Sequence, residues 1–263
     1  MSAAARDIVI VIPARFTSER FPGKLLAPLR GADGVARPLI EHSWRAANAL
    51  SDLADVVIAT DAAAIADVAA SFGARCIMTA TTARNGTERC AEAVAALDAP
   101  PALVIDWQGD SPAIARTHVE ALVAAWRSGA GAVLTPFMRC SPAMRAHLVS
   151  EIAAGRPSGV FTVADRATNA LYFSRSPIPW GPETEWRLHV GLYAYEPAAL
   201  GRYAAWPPGP LETAESLEQL RFLENGQPIA LVEVEPAVGG YGDVNYPADI
   251  AKVEALLRER GAP

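Results

Sequence analysis

Short apolar runs alternate with Ala-rich helical stretches through the first half of the chain, and that alternation leaves few folds open. The runs fall at residues 8–12, 56–59, 75–78, 103–105 and 132–136, and the helical stretches at 39–50, 62–72, 87–96 and 114–126. A helix between two strands returns the chain to the starting edge, so the second strand pairs parallel to the first. The prediction is an α/β domain with a mostly parallel, Rossmann-like sheet and helices on both faces. Beyond Ser141 the runs 160–163, 170–174 and 189–195 follow one another without long helices. That predicts a smaller antiparallel insertion, residues 141–210, within a single domain spanning 1–263. A helix over 211–224, a strand over 230–234 and a closing helix over 247–258 complete the pattern, and Pro-rich turns at 177–182 and 207–210 flank the insertion.

In an open α/β sheet, ligands bind outside the carboxyl ends of the strands. The first strand runs directly into such a place: PARFTSERFPGK, residues 13–24, carries Arg15, Ser18, Arg20, Gly23 and Lys24. Arg forks and a Lys point charge match phosphate oxygens, and a glycine lets backbone amides approach closely. The loop reads as a polyphosphate cradle, with a basic surface turn as the alternative. It fits neither the GxxxxGK[ST] loop nor the GxGxxG dinucleotide motif. These cations sit in a protein of net charge −6, which favours local anion capture over general attraction to nucleic acid or membrane.

Asp110, in DWQGDSP just past the run 103–105, points to a divalent metal shared with phosphates, since Mg²⁺ takes a few protein oxygens and completes its shell with phosphate and water. A turn residue before Pro112 is the alternative. RNGTER, residues 84–89, is a turn into a helix. Asn85 and Thr87 there can hydrogen-bond a base or ribose, or Asn85 can cap the helix with Glu88 reaching back. Asp61 likewise reads as a helix cap or a functional carboxylate. His189 and Tyr193 lie four apart on one predicted strand, hence on one face, and with Arg175 they can line an acceptor pocket; a core histidine is the alternative. Glu212, Glu215, Glu218 and Gln219 read as the exposed face of a helix.

Three cysteines, Cys76, Cys90 and Cys140, show no CxxC spacing and suit packing roles in a reducing compartment. No basic region leads into an apolar stretch at the start, and no apolar run approaches the ~20 residues of a membrane span. A cytoplasmic protein with no membrane or nucleic-acid partner is expected. Trp180, Trp186 and Trp206 can form an isologous dimer contact or pack in the core.

The order of motifs PARFTSERFPGK, ATD (59–61), NGTER, WQGDSP, ALYFSRSPIPW, HVGLYAY and PLETAESLEQLRFL resembles the CMP-Kdo synthetase family, the 3-deoxy-manno-octulosonate cytidylyltransferases, over about residues 8–258. The resemblance implies a GT-A-like nucleotidyltransferase fold. It implies that CTP is joined to an acidic sugar with Mg²⁺, giving a CMP-sugar for lipopolysaccharide biosynthesis and pyrophosphate. Arg15, Ser18, Arg20 and Lys24 would hold the triphosphate, and Arg15, Lys24 and Asp110 would carry the chemistry. Asp61, Arg84, Thr87 and Gln108 would face cytidine. Arg175, His189, Tyr193, Glu218 and Gln219 would contact the sugar acid. Asp110 would bind metal.

The departures concentrate on the acceptor side and the metal. The family's QGDEP has Ser111 in place of Glu. Leu188 stands where a cation precedes the family's His, with Arg187 displaced by one residue, and Phe161 stands at a lysine. VDTPEDL becomes GDVNYPADI, putting Asn245 at the second metal carboxylate; Asp243, two positions earlier, is expected to compensate. A different acidic acceptor is thus one alternative. A nucleotide-sugar-dependent glycosyltransferase is a second, although no D-x-D motif follows the crevice strands. A non-catalytic nucleotide-binding homologue is a third.

Overall fold

The structure is a computed structural model and describes residues 7–18, 20–155, 159–181, 185–237 and 242–262. The amino-terminal segment read for a leader, Glu19 of the first motif and Pro182 of the Pro-rich turn lie outside the described residues. The chain divides into two compact units, Met1–Arg116 with Tyr195–Ala204 and Ala237–Pro263, and Thr117–Ala194 with Ala205–Pro236.

In the first unit β1 (Ile8–Ala14) is buried along its whole length, as a strand covered on both faces must be, which explains its unbroken apolar run. After a single 3₁₀ turn at Lys24–Leu26 come β2 (Pro28–Arg30) and β3 (Ala36–Pro38), a small antiparallel pair the sequence reading did not anticipate. Then follow α1 (Leu39–Asn48), β4 (Asp55–Thr60), α2 (Ala63–Ser71), β5 (Cys76–Met78), α3 (Gly86–Ala95) and β6 (Leu103–Trp107). The strand order is β5-β4-β1-β6, all parallel, with β1 in register against β4 (Ala14 opposite Thr60) and β6 (Val11 opposite Asp106). Three strands therefore release their chains at one edge: Arg15 after β1, Asp61 after β4 and Gln108 after β6.

The other elements are α4 (Arg116–Arg127), β7 (Val133–Arg139), α5 (Pro142–Ala153), β8 (Phe161–Ala164), β9 (Ala170–Ser174), β10 (Arg187–His189), β11 (Leu192–Tyr195), α6 (Pro197–Ala205), α7 (Pro210–Glu215), α8 (Leu220–Glu224), β12 (Ala230–Glu233) and α9 (Asp249–Glu259). In the second unit β10 pairs antiparallel with β7 and β8, β8 pairs antiparallel with β9, and β12 runs parallel to β7. An α/β class with mostly parallel strands in the first unit and mostly antiparallel ones in the second agrees with the sequence reading.

Among the described residues the strands β8 to β11 follow one another without a helix between them, as expected; two other local expectations are corrected, and one helix was not anticipated. Ahead of those strands Ser141 caps α5 by accepting from the Met144 N–H at 3.2 Å, with Pro142 in the first turn. The helix expected over 211–224 is two pieces, because Ser216 adopts a left-handed conformation (φ 53°, ψ 47°) that ends α7. The strand expected over 189–195 is also two, broken after His189, so His189 and Tyr193 belong to different strands.

Candidate active site

The first motif folds back on itself after β1. Gly23, at φ +68°, donates its N–H to the carbonyl of Phe16, a turn only glycine makes cheaply. That reversal brings Lys24 beneath the end of β6, where its ammonium pairs with the Asp110 carboxylate and donates to the Val244 carbonyl at 3.2 Å. The β6 exit is equally constrained. A Cβ on Gly109 would lie 2.9 Å from the Pro13 carbonyl oxygen, so only glycine lets the two strand ends come this close. Arg15 donates to the Arg84 carbonyl at 3.0 Å, and Ser18 and Arg20 lie on the outer part of the loop.

Asp110 is joined by a second carboxylate. Val244 donates its N–H to the Asp110 carbonyl at 3.0 Å, which brings Asp243 alongside, and the Ser111 hydroxyl donates to Asp243 Oδ1 at 2.6 Å. Although the residue is exposed at the surface of its loop, the Asp243 carboxyl has protein densely around it. That surround pushes its pKa up to about 6, and the neighbouring Asp110 charge adds to the rise. One departure thus touches the residue expected to compensate for another: Ser111 holds the carboxylate that stands two residues before Asn245. Asn245 itself accepts from Arg20 at 3.0 Å through its side-chain oxygen, the atom a metal would need.

Hard carboxylate oxygens that repel one another fit Mg²⁺, a cation satisfied by one or two carboxylates plus phosphates. Among the described residues no three His, Cys, Asp or Glu side chains converge as a self-sufficient metal site. A cation held by Asp110 and Asp243 would therefore lean on ligand phosphates.

The base-side candidates divide. Asp61 caps nothing; α2 starts without a side-chain cap, and Asp61 instead accepts from Arg89 at 3.1 Å. Arg89 is fully buried, a holding residue at the far end of RNGTER that the sequence reading passed over. Asn85 caps α3 as expected, accepting from the Glu88 N–H at 2.9 Å, and its amide donates to the Tyr203 hydroxyl at 2.7 Å. Glu88 reaches back one residue further than a capping box requires, to the Arg84 N–H at 2.7 Å. Thr87 is fully buried with its hydroxyl 3.1 Å from that of Tyr195. Gln108 is half-buried and donates to Asp106 at 2.9 Å.

The acceptor-side candidates all fall in the second unit. His189 and Tyr193, though on separate strands, meet ring to ring at 5.2 Å, with Phe173 edge-on to His189 at the same separation. The Thr135 hydroxyl donates to the Leu192 carbonyl at 2.8 Å, so its contact with His189 Nε2, also 2.8 Å, is made by an Nε2–H donor, which leaves Nδ1 an acceptor. Burial lowers the imidazole pKa to about 3 and keeps it neutral. Arg175 is exposed but anchored to carbonyls of Glu215 and Ser216. Gln219 is not on an exposed face: it is buried, and its amide nitrogen has no partner. Glu212 is buried as well, in a bidentate pair with the fully buried Arg221 at 2.5 and 2.6 Å. Phe161 and Leu188, which stand where the family has cations, pack with Leu148 and Trp186 in an apolar cluster.

Residues 9–229 match the family described as cytidylyltransferase. A 3-deoxy-manno-octulosonate cytidylyltransferase from Chlorobium limicola is 40% identical, covering 96% of this chain and 98% of its own. One from Arabidopsis thaliana, named as mitochondrial, is 36% identical over 96% of this chain and 84% of its own. The solved structure of CMP:2-keto-3-deoxy-manno-octonic acid synthetase complexed with CTP superposes with a TM-score of 0.80 at 36% identity, covering 96% of this chain and 99% of that one. A glucose-1-phosphate thymidylyltransferase from Bacillus anthracis shares the fold at 15% identity and a TM-score of 0.61. The chain belongs to the 3-deoxy-manno-octulosonate cytidylyltransferase family.

Proposed function

We propose that this chain couples CTP to Kdo, or to a closely similar 2-keto sugar acid, and releases pyrophosphate. The observation that carries the reading is the meeting of Lys24 with Asp110 and Asp243 at the shared carboxyl end of β1 and β6. The anomeric hydroxyl oxygen of the acceptor attacks the α-phosphorus of CTP and gives up its proton to solvent. An O–P bond forms, the α–β phosphoanhydride breaks, and the electron pair leaves on pyrophosphate. Such transfer needs positioning and charge neutralisation more than a covalent intermediate. Arg15, Arg20 and Lys24 hold the triphosphate and the departing pyrophosphate, with Lys24 exchanging its carboxylate partner for phosphate oxygens. Asp61, locked by Arg89, and Gln108 orient the nucleoside. Asp110 and Asp243, together with the phosphates, would hold Mg²⁺, which would supply charge neutralisation at the reacting phosphate. Arg175, His189, Tyr193, Glu218 and Gln219 receive the sugar acid.

Pyrophosphate release from CTP with Kdo and a panel of 2-keto sugar acids tests the reading: turnover supports it, and activity only with a preformed nucleotide-sugar overturns it. A less anionic sugar acid is the second reading, favoured by the apolar surroundings of Phe161 and Leu188. The same panel ranks the two. Three free thiols support a reducing, cytoplasmic setting, where a CMP-sugar would feed lipopolysaccharide biosynthesis. A homodimer is supported by Trp180, which is 93% exposed, whereas Trp186 packs on Phe161 and Trp206 on Phe222.

A further inference from the structure

We propose that Glu215 is a positioning residue for acceptor capture, clamping the corner at Ser174–Arg175 so that Arg175 presents its charge in one pose; this rests on the cytidylyltransferase reading above. The ends of β9 and α7 are tied reciprocally. The Glu215 carboxylate accepts from the Ser174 hydroxyl at 2.9 Å, from the Arg175 backbone N–H at 2.9 Å and from the Tyr172 hydroxyl at 3.4 Å. In return Arg175 donates from Nε to the Glu215 carbonyl at 2.8 Å and from Nη2 to the Ser216 carbonyl at 3.2 Å. The Ser176 N–H closes the corner onto the Ser174 hydroxyl at 3.0 Å.

The chemistry of the arrangement distinguishes it from an ordinary surface ion pair. Glu215 grips the backbone and neighbours of Arg175, while the guanidinium itself rests on two carbonyls. Those carbonyls are free because a helix end leaves its last C=O groups without intrahelical partners. The positive charge is therefore held still without being neutralised by a carboxylate, and Nη1 has no partner among the described residues. A planar, bidentate group fixed in this way matches a ligand carboxylate. Fixing it beforehand removes part of the ordering cost that a long exposed side chain would otherwise incur on binding.

The left-handed Ser216 makes the clamp possible. It ends α7 at Glu215, exposes the two carbonyls, and lets Gln219 begin a new turn with a buried, partnerless amide donor. A serine in that conformation costs roughly 1 kcal/mol over glycine. An unbroken helix over 211–224 would have satisfied both carbonyls internally and left Arg175 without its anchor.

Steady-state pyrophosphate release tests the clamp, with Kdo and CTP varied separately in wild type and Glu215→Gln. The expected result is an acceptor KM raised about tenfold, with KM for CTP and kcat at saturation within about twofold, because one bidentate carboxylate contact is misplaced. An unchanged acceptor KM, or an equal rise in KM for CTP, overturns the proposal. If Glu215→Gln does not fold, Ser174→Ala and Tyr172→Phe each remove one donor to the same carboxylate and must raise acceptor KM selectively. A wild-type protein that turns over no sugar acid refutes the parent reading instead. The clamp is then judged by phenylglyoxal labelling of Arg175, read by mass spectrometry: faster labelling in Glu215→Gln supports it, and equal rates overturn it.

Discussion

Lys24 pairs with Asp110, and under the proposed function it turns from that carboxylate to phosphates when nucleotide binds. Lys24→Ala should lower kcat/KM by about 10²–10³ with the fold intact, as removal of a single charge-stabilising donor does elsewhere. Asp243 shows the cost of such a site. Its carboxyl, pushed up to about 6, prefers its proton in the folded protein more than in the unfolded chain. The stability this gives is complete below the ordinary carboxylate value and lost as pH rises through about 6. Asp243→Asn should therefore unfold at a higher temperature than wild type at pH 7 without Mg²⁺, with the gap closing below pH 4. It should also need more Mg²⁺ for turnover, and a variant with unaltered Mg²⁺ dependence would remove Asp243 from the metal. His189 runs the opposite way. Its imidazole is held at about 3, so stability is complete above its ordinary 6.5 and falls as pH drops from there toward 3. In urea titrations at pH 7 and pH 4, His189→Gln should lose less stability on acidification than wild type.

At the level of elements, legibility followed burial. β1 was readable because a strand covered on both faces must be apolar throughout, and the cations after it marked the crevice. α5 was not, because only Leu148 of its twelve residues is buried, so no apolar stripe betrays a helix. The Ser-Pro pair at its start was the available signal, and Ser141→Ala should cost about 1 kcal/mol in chemical denaturation. The break between α7 and α8 was hidden for a different reason: it rests on the left-handed backbone of Ser216, which no turn residue such as glycine or proline marks in the sequence. Ser216→Gly should leave stability unchanged or raise it by a few tenths of a kcal/mol, since relief of the left-handed strain offsets the extra freedom of the unfolded glycine. Pairings across long sequence separations were the least legible. Ser111 and Asp243 are 132 residues apart, and only folding shows that one supports the other.

Across the whole molecule the candidate residues sort by unit: Arg15, Ser18, Arg20, Lys24, Asp61, Arg84, Thr87, Gln108, Asp110, Asp243 and Asn245 in the first, Arg175, His189, Tyr193, Glu218 and Gln219 in the second. Ligand that binds only the folded state protects what it touches, by about 2.7 kcal/mol at a hundredfold excess over its Kd. Hydrogen exchange can therefore separate the two ligands. With Mg²⁺ and CTP, protection should rise over residues 13–26, 84–90 and 106–112, the segments that leave the parallel strands together. With the sugar acid alone, it should rise over 172–176 and 215–220, and the increase should be weaker in Glu215→Gln. The net charge of −6 adds a condition, since cations gathered in one loop steer a polyanion through an otherwise repulsive field. CTP protection should accordingly weaken with added salt more steeply than protection by the singly charged acid. Equal protection of both sets of segments by CTP alone, independent of salt, would mean that the phosphate loop and the acceptor corner do not serve separate ligands, and the division of labour assigned to them would fall.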